Sequence, residues 1–397
     1  MVLPLAIAVN LLAIGFFKYS FFITSNLAVV VGHGIEENFR NIWLPIGISF
    51  FTFQSISYLV DVSRREVVPP RNPLVFLTFV SFFPHLIAGP IVRYSVVCRY
   101  FLDPKWTSGD VFHGTVRFLH GLGKKLIVAD TAGAVADACF ALQPGELGFS
   151  AAWIGAVAYT IQIYFDFSGY SDMAIGIARM FGVRFEENFR RPYSAASITD
   201  FWRRWHISLS TFFRDYVYIP LGGNSGSKSR TYLNLLIVFF LTGVWHGAAW
   251  HFIAWGLYNG LFLVAERLWR RGKPAAGRTL AGAFYVTVVV VFGWVLFRAR
   301  DLSYAYEYWQ TMSLFKGFST AIPDNVAQAL DPLTAATLVL SLSVFFIPGH
   351  ITVGKGLEAD AAARVDYVRF AYAVAVGLVA SVLAFSRPFS PFLYFQF

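Results

Sequence analysis

Apolar runs long enough to cross a lipid bilayer recur along this chain, and they leave it few ways to fold. LAGAFYVTVVVVFGWVLF (280–297) and VRFAYAVAVGLVASVLAF (368–385) are clean examples, and TAATLVLSLSVFFIPG (334–349) is a shorter one. In hydrocarbon no water satisfies a peptide group, so such segments fold as helices whose backbone bonds close internally. Earlier in the chain, VLPLAIAVNLLAIGFF (2–17), WLPIGISFFTFQSISYLVDV (43–62) and PLVFLTFVSFFPHLIAGPIV (73–92) read the same way. Because 56% of the 397 residues are hydrophobic, only 14% are charged and the mean hydropathy is +0.56, the class is an all-α, polytopic membrane protein. About eight to ten membrane-embedded helices in one domain, residues 1–397, account for the runs.

The formal net charge of +9 does not point to nucleic acid. The basic residues sit in short loops beside apolar runs, where positive-inside topology and anionic headgroups explain them. Cys98 and Cys139 lack metal-type spacing and support neither a disulfide framework nor a zinc site. The first run has no basic residues ahead of it and no small-residue cleavage site, so it reads as a membrane helix ended at the interface by Lys18 and Tyr19. Pro84 interrupts the third run, and His85 beside it satisfies local polarity. Residues 111–130 are too charged to cross lipid unaided. There His113, Arg117, His120 and Lys124 recur at helical spacing, which predicts an interfacial helix with a headgroup-facing stripe. Residues 298–332 read as an extramembrane connection.

Residues 151–182 carry carboxylates into an apolar span. Gln162 and Asp166 share one face, and Ser168, Asp172 and Arg179 share another. An aspartate in lipid must pair, neutralise or border water. Asp172 has Arg179 two turns along as a partner, whereas Asp166 has no obvious local one and is a candidate for lining a wet cavity.

The chemistry concentrates in residues 197–259. Ser197 and Asp200 form a helix start, and Pro220, Gly222 and Gly223 form a stop. Between them Thr199, Arg203, His206, Ser210 and Arg214 fall on one stripe, with Phe201, Trp205 and Phe212 opposite, which predicts a helix lying along the membrane with His206 on its polar side. Next, Lys228 and Arg230 precede an apolar run, and Arg267, Arg270, Arg271 and Lys273 follow it, so both ends lie on the cytoplasmic side and the chain turns back within the membrane. Gly243, Gly247, Ala248 and Ala249 are the small residues such a turn needs. His246 is thereby placed near the tip of a hairpin, inside the bilayer, where a polar side chain needs a reason to be. His251, five residues on, is off that face and reads as structural. No spacing pattern supports a metal site built on these histidines.

The runs YFDFSGYSDMAIG, SITDFWRRWHISLSTFFRDYVYIPLGGN, LTGVWHGAAW and the terminal SPFLYFQF resemble the membrane-bound O-acyltransferases, specifically their bacterial alginate O-acetyltransferase branch. The similarity extends over essentially the whole chain, and the motifs are long and specific. It implies a bundle around a central tunnel, in which His246 of the WHG motif is the catalytic residue and His206 of the RRWHISLS motif is also functional. Members of this branch ordinarily carry further membrane helices ahead of the segment matching LLAIGFFKY, so the resemblance implies a fragment, a misassigned start or a shortened form.

The resemblance implies acyl transfer from a cytoplasmic thioester, acetyl-coenzyme A, to a hydroxyl of an exported polysaccharide such as alginate. Periplasmic partner proteins would relay the group, and the location would be the bacterial inner membrane. A positioned imidazole removes the hydroxyl proton as attack occurs. Arg203 and Arg214 are candidates for the phosphates of coenzyme A, and the Trp245 indole or backbone N–H groups at Gly247 for the oxyanion. Asp166 and Asn259 are further candidates for substrate binding. No cofactor is called for. A secondary transporter, which also uses broken helices and intramembrane carboxylates, is the other class compatible with these features, although no repeat relates the two halves.

Overall fold

Every regular element among the described residues is helical. The computed structural model describes residues 2–32, 34–87, 89–270, 279–314, 318–346, 363–387 and 391–393, so parts of the run 334–349 and of the terminal SPFLYFQF lie outside it. In chain order, α1 (Val2–Ile14) passes through a π turn (Gly15–Tyr19) into α2 (Ser20–Val31), followed by α3 (Ile48–Ser63), α4 (Pro73–Val80) and α5 (Tyr94–Leu102). The helix α6 (Ser108–Gly123) continues through a second π turn (Lys124–Ala129) into α7 (Asp130–Phe140), and α8 (Phe149–Met180) follows. Two short helices, α9 (Ile198–Trp202) and α10 (Ile207–Phe213), precede the long pair α11 (Lys228–His246) and α12 (Trp250–Arg270). The rest are α13 (Leu280–Arg298), α14 (Leu302–Met312), α15 (Asp324–Ala329), α16 (Pro332–Phe346) and α17 (Ala363–Ser386).

Three described helical stretches are long and apolar enough to cross a membrane: Val2–Val30, Leu280–Arg298 and Tyr367–Ser386. They match three of the expected spans, with one difference at the start. The first helix does not end at Lys18 and Tyr19 but continues for another three turns beyond them. The third apolar run also departs from a single span. Its helix stops at Val80, and a 3-10 turn holds Pro84 and His85, whose Nε2 bonds the Phe79 carbonyl at 2.9 Å. His85 thus satisfies a carbonyl at the end of α4. The expected connection at 298–332 contains α14 and α15.

The 32-residue helix α8 is the centre of the molecule. At 1.5 Å per residue it is roughly 48 Å long, and most of its residues are buried. Helix α6 lies against it at backbone contact. A β-carbon at Gly114 would meet the Gly176 carbonyl at 2.6 Å, and one at Gly121 would meet the Gly169 carbonyl at 2.5 Å. Each helix carries its glycines seven residues apart, two turns of the same face. Small residues at this spacing let two backbones approach where no hydrophobic driving force separates helix from lipid.

That approach brings cations onto carboxylates. Arg117 bonds Asp172 through Nε at 2.8 Å and Glu187 through Nη1 at 2.8 Å, and Lys124 Nζ reaches Asp172 at 2.6 Å. Lys125 Nζ lies 2.7 Å from both Asp166 and Asp130. The expected headgroup-facing stripe on residues 111–130 is therefore corrected: Arg117 and Lys124 point into the protein. The expected Asp172–Arg179 pair is corrected too. Seven residues of helix separate those side chains by roughly 10 Å of rise, and Arg179 instead faces Asp110 at 3.6 Å.

Helix α12 also carries an unexpected anchor. Glu266 is buried, and its carboxylate accepts from Ile198 N at 2.8 Å, Thr199 N at 3.1 Å and Thr199 Oγ1 at 2.7 Å. It closes the first turn of α9 together with the Ser197 hydroxyl, which accepts from Asp200 N at 3.0 Å. Replacing Glu266 by Ala orphans three donors at once, so a loss of about 2–4 kcal/mol in stability is expected, readable as a fall in melting temperature of the solubilised protein.

Candidate active site

The stretch 197–219 does not form the single amphipathic helix its periodicity suggests. Helix α9 stops after five residues, and a turn at 203–206 redirects the chain. His206 occupies the left-handed region, φ 44°, before α10 begins. A non-glycine residue held there costs of order 1 kcal/mol and persists only where its neighbours over-determine it. Asn188 does so. Its backbone carbonyl accepts from Ile207 N at 2.9 Å, and its Oδ1 accepts from Ser208 N at 3.2 Å and Ser208 Oγ at 2.9 Å. Asn188 Nδ2 donates to Ser171 Oγ on α8 at 3.2 Å.

The turn reverses the environment predicted for His206. The side chain is not on a polar, lipid-headgroup face beside arginines; it is 1% exposed, inside the protein. Phe201, Trp205 and Phe212 are buried as their positions opposite the polar stripe imply. Because the Ser208 amide donates to Asn188 Oδ1, that oxygen is an acceptor, and His206 Nδ1 at 3.2 Å from it carries the proton.

His246 is the last residue of α11, and Gly247 follows in extended conformation before α12 starts at Trp250. The hairpin anticipated from the charges and small residues is present. Gly243 and Gly256 let α11 and α12 touch: a β-carbon on Gly243 would lie 2.4 Å from the Phe252 carbonyl and one on Gly256 2.2 Å from the Phe239 carbonyl. Helix α11, from Lys228 to His246, spans roughly 28 Å.

The two imidazoles meet the same indole. The centroid of Trp245 is 5.9 Å from His206 and 4.9 Å from His246. Around them, Phe167 of α8 stands edge-on to His206 at 4.7 Å, and Trp255 of α12 and Phe297 of α13 stand edge-on to His246 at 4.9 and 5.2 Å. Phe50 and Phe53 of α3 pack on Trp245 at 5.7 and 5.6 Å. Five long helices thus meet at one aromatic box holding two histidines.

The other candidates are placed elsewhere. Arg203 is exposed. Arg214 pairs with Asp215 at 2.6 Å, in a group with Arg93, 2.7 Å from the same carboxylate, and Arg64, whose Nη2 donates to the Asp215 carbonyl. Burial disfavours the Asp215 carboxylate, but its two arginines outweigh this and hold it below the usual carboxylate range. Asn259 Nδ2 donates to the Trp255 carbonyl on its own helix at 2.8 Å. Asp166 accepts from Lys125 and, at 3.0 Å, from the Leu393 amide. Its partner comes from α6's π turn, which sequence spacing on α8 could not reveal. Near that pair, a cavity of about 390 Å³ lies between α6, α8 and the end of α17, lined by Phe83, Lys125, Tyr170, Arg387 and Phe392 among others; neither His206 nor His246 lines it. Sequence reasoning missed Asn188, Glu266 and Lys18, polar residues whose roles depend on distant contacts.

These features define a helical membrane protein with two histidines buried at one indole. The membrane-bound O-acyltransferase family model matches residues 4–306, and the chain belongs to that family. It is similar to a probable alginate O-acetylase of Azotobacter vinelandii, 44% identical, with all of this chain and 84% of the relative covered, and equally to one of Pseudomonas putida at 44% with the same coverage. A peptidoglycan O-acetyltransferase of Helicobacter pylori is 33% identical over all of this chain and 82% of its own length. The family assignment removes the transporter reading.

Proposed function

We propose that the chain is a single acyltransferase domain, residues 1–397 with 197–259 as its core, that O-acetylates an exported polysaccharide, alginate by similarity to its relatives. The bilayer is the bacterial inner membrane, crossed several times by a bundle of membrane-embedded helices around a central tunnel. The acyl donor is acetyl-coenzyme A from the cytoplasmic side. The acceptor is the polysaccharide hydroxyl or a periplasmic partner protein that relays the group.

The observation that carries this reading is the pair of buried histidines at one indole where the α11–α12 hairpin turns. In the mechanism, a hydroxyl O–H gives its proton to the His246 imidazole while its oxygen attacks the thioester carbonyl. The tetrahedral oxyanion collapses, the C–S bond breaks, and the departing thiolate recovers the proton from the imidazolium. Trp245 Nε1 would donate to the oxyanion; the Gly247 amide, the other candidate, is taken up by the Gly243 carbonyl at 3.4 Å. His206, held through Nδ1 by Asn188, stands at the same indole as the base and orders that side of the site. The donor's phosphates would bind the arginines gathered around Asp215, with Arg203 exposed upstream on the same stretch of chain.

The test follows label from acetyl-coenzyme A in membranes containing the folded chain. Transfer to a polysaccharide or partner acceptor is expected; label that remains in the thioester overturns the reading. Within this mechanism, Asn188→Ala releases both the strained turn and the His206 tautomer. A fall in kcat of about tenfold is expected, of the size of a lost positioning interaction, with the protein still folded.

A further inference from the structure

The first membrane helix makes few contacts, yet its polar contacts converge on one point. Within its most apolar stretch only 6% of the residues are buried in the protein. Among the described residues, the hydrogen bonds it makes to other elements go to the turn between α11 and α12. Lys18 Nζ donates to the carbonyls of Trp245 at 2.7 Å and His246 at 3.0 Å, and the Tyr19 hydroxyl donates to the Val244 carbonyl. On the other side of the turn, Trp250 Nε1 donates to Asn26 Oδ1 at 2.9 Å, and the Trp250 ring packs edge-on against Phe22.

Three consecutive carbonyls at the end of α11 are thereby satisfied from another helix. A helix end leaves its last carbonyls without internal partners, and in a membrane each needs a donor. The ammonium also sits at the negative end of the α11 dipole, where a cation is favoured. Lys18 and Tyr19 are adjacent in sequence, and in a regular α-helix adjacent side chains diverge. Here both lie in the π turn Gly15–Tyr19, whose wider winding lets both reach one neighbour.

We propose that Lys18 is a positioning residue for His246, fixing the imidazole by gripping the carbonyls of that residue and of Trp245, with Tyr19 and Asn26 steadying the same turn. This rests on the proposed role of His246. Rings of α12 and α13 contact the imidazole, while Lys18 fixes the backbone that carries it. A base displaced by even a fraction of an ångström from the attacking hydroxyl loses rate without losing substrate affinity.

The experiment compares Lys18→Met, Lys18→Arg, Tyr19→Phe and His246→Ala in the full-length chain, with rates normalised to folded, monodisperse protein. Lys18→Met is expected to lower kcat about 10- to 100-fold with KM for acetyl-coenzyme A within about twofold. Lys18→Arg, which keeps two donors and the charge, is expected to recover most of the rate. Tyr19→Phe, which keeps the packing, is expected to lower kcat about threefold, as loss of a single neutral donor would. Unchanged kcat in both Lys18→Met and Tyr19→Phe, alongside an inactive His246→Ala, overturns the inference while sparing the role of His246. The same holds if Lys18→Met changes only the amount of folded protein or only KM. Turnover retained in His246→Ala overturns the reading on which the inference stands.

Discussion

His246→Ala is expected to insert and fold yet to lose about 10²- to 10⁴-fold in acetyl transfer, the contribution of one positioned general base. That is about 3–5 kcal/mol of transition-state stabilisation. Folding survives because the substitution falls on the final residue of α11, where alanine is well tolerated and the capping bonds from Lys18 and Tyr19 are made to backbone carbonyls. What the truncation removes is a ring packed among Trp245, Trp255 and Phe297. The space left there costs stability, as truncation in any packed core does. His246→Gln, closer in volume, separates the two effects. If the imidazole served packing alone, Gln would restore the rate along with the melting temperature. If it is the base, both variants stay inactive while Gln melts nearer to the native protein. Measuring acetyl transfer and thermal unfolding on the same preparations decides between them.

Gly176→Leu is expected to prevent accumulation of folded protein. A β-carbon at this position would lie 2.7 Å from both the Gly114 carbonyl and the Phe118 amide nitrogen of α6. Neither can swing aside as a flexible side chain would, so α6 must move off α8. That displacement pulls Arg117 and Lys124 away from Asp172 and leaves a buried carboxylate without its cations, a loss that typically costs about 3–5 kcal/mol by itself. Overpacking adds to it. Gly145→Ala is the control, since a β-carbon there meets nothing within 4 Å. Near-native yield of monodisperse Gly176→Leu protein would show that the close approach of α6 and α8 is dispensable.

The hairpin carrying His246 is legible in the sequence because its signals are local. Basic residues flank an apolar run on both sides, and small residues sit in the middle. Residues 280–297 are equally plain, since hydropathy over a single helix suffices. The charged stripe on residues 111–130 misleads because amphipathicity reports that one face is polar without saying what that face meets. Only the glycines at 114, 121, 169 and 176 hint at it, since they remove the side chains that would hold two helices apart. His206 is misplaced for a different reason. Its stripe with Arg203 and Arg214 assumes an unbroken helix, and the left-handed turn that breaks it is held by Asn188, 18 residues upstream and outside any pattern of the segment itself. Lys18 shows the same limit. At the end of an apolar run a lysine looks like an interfacial anchor, and only the arrangement of α1 against α11 gives it a carbonyl to hold.

The bond between Asp166 and the Leu393 amide joins residues 227 positions apart, and it bears on how the protein is made. At roughly 5–20 residues per second, the ribosome delivers residue 393 on the order of 10 to 45 s after residue 166. During that interval α8 can already be inserted and paired with α6, but one ligand of its buried carboxylate is still missing. The last step in closing this part of the molecule is therefore post-insertional, and nascent chains paused before residue 391 should be more open to membrane-permeant probes than the finished protein.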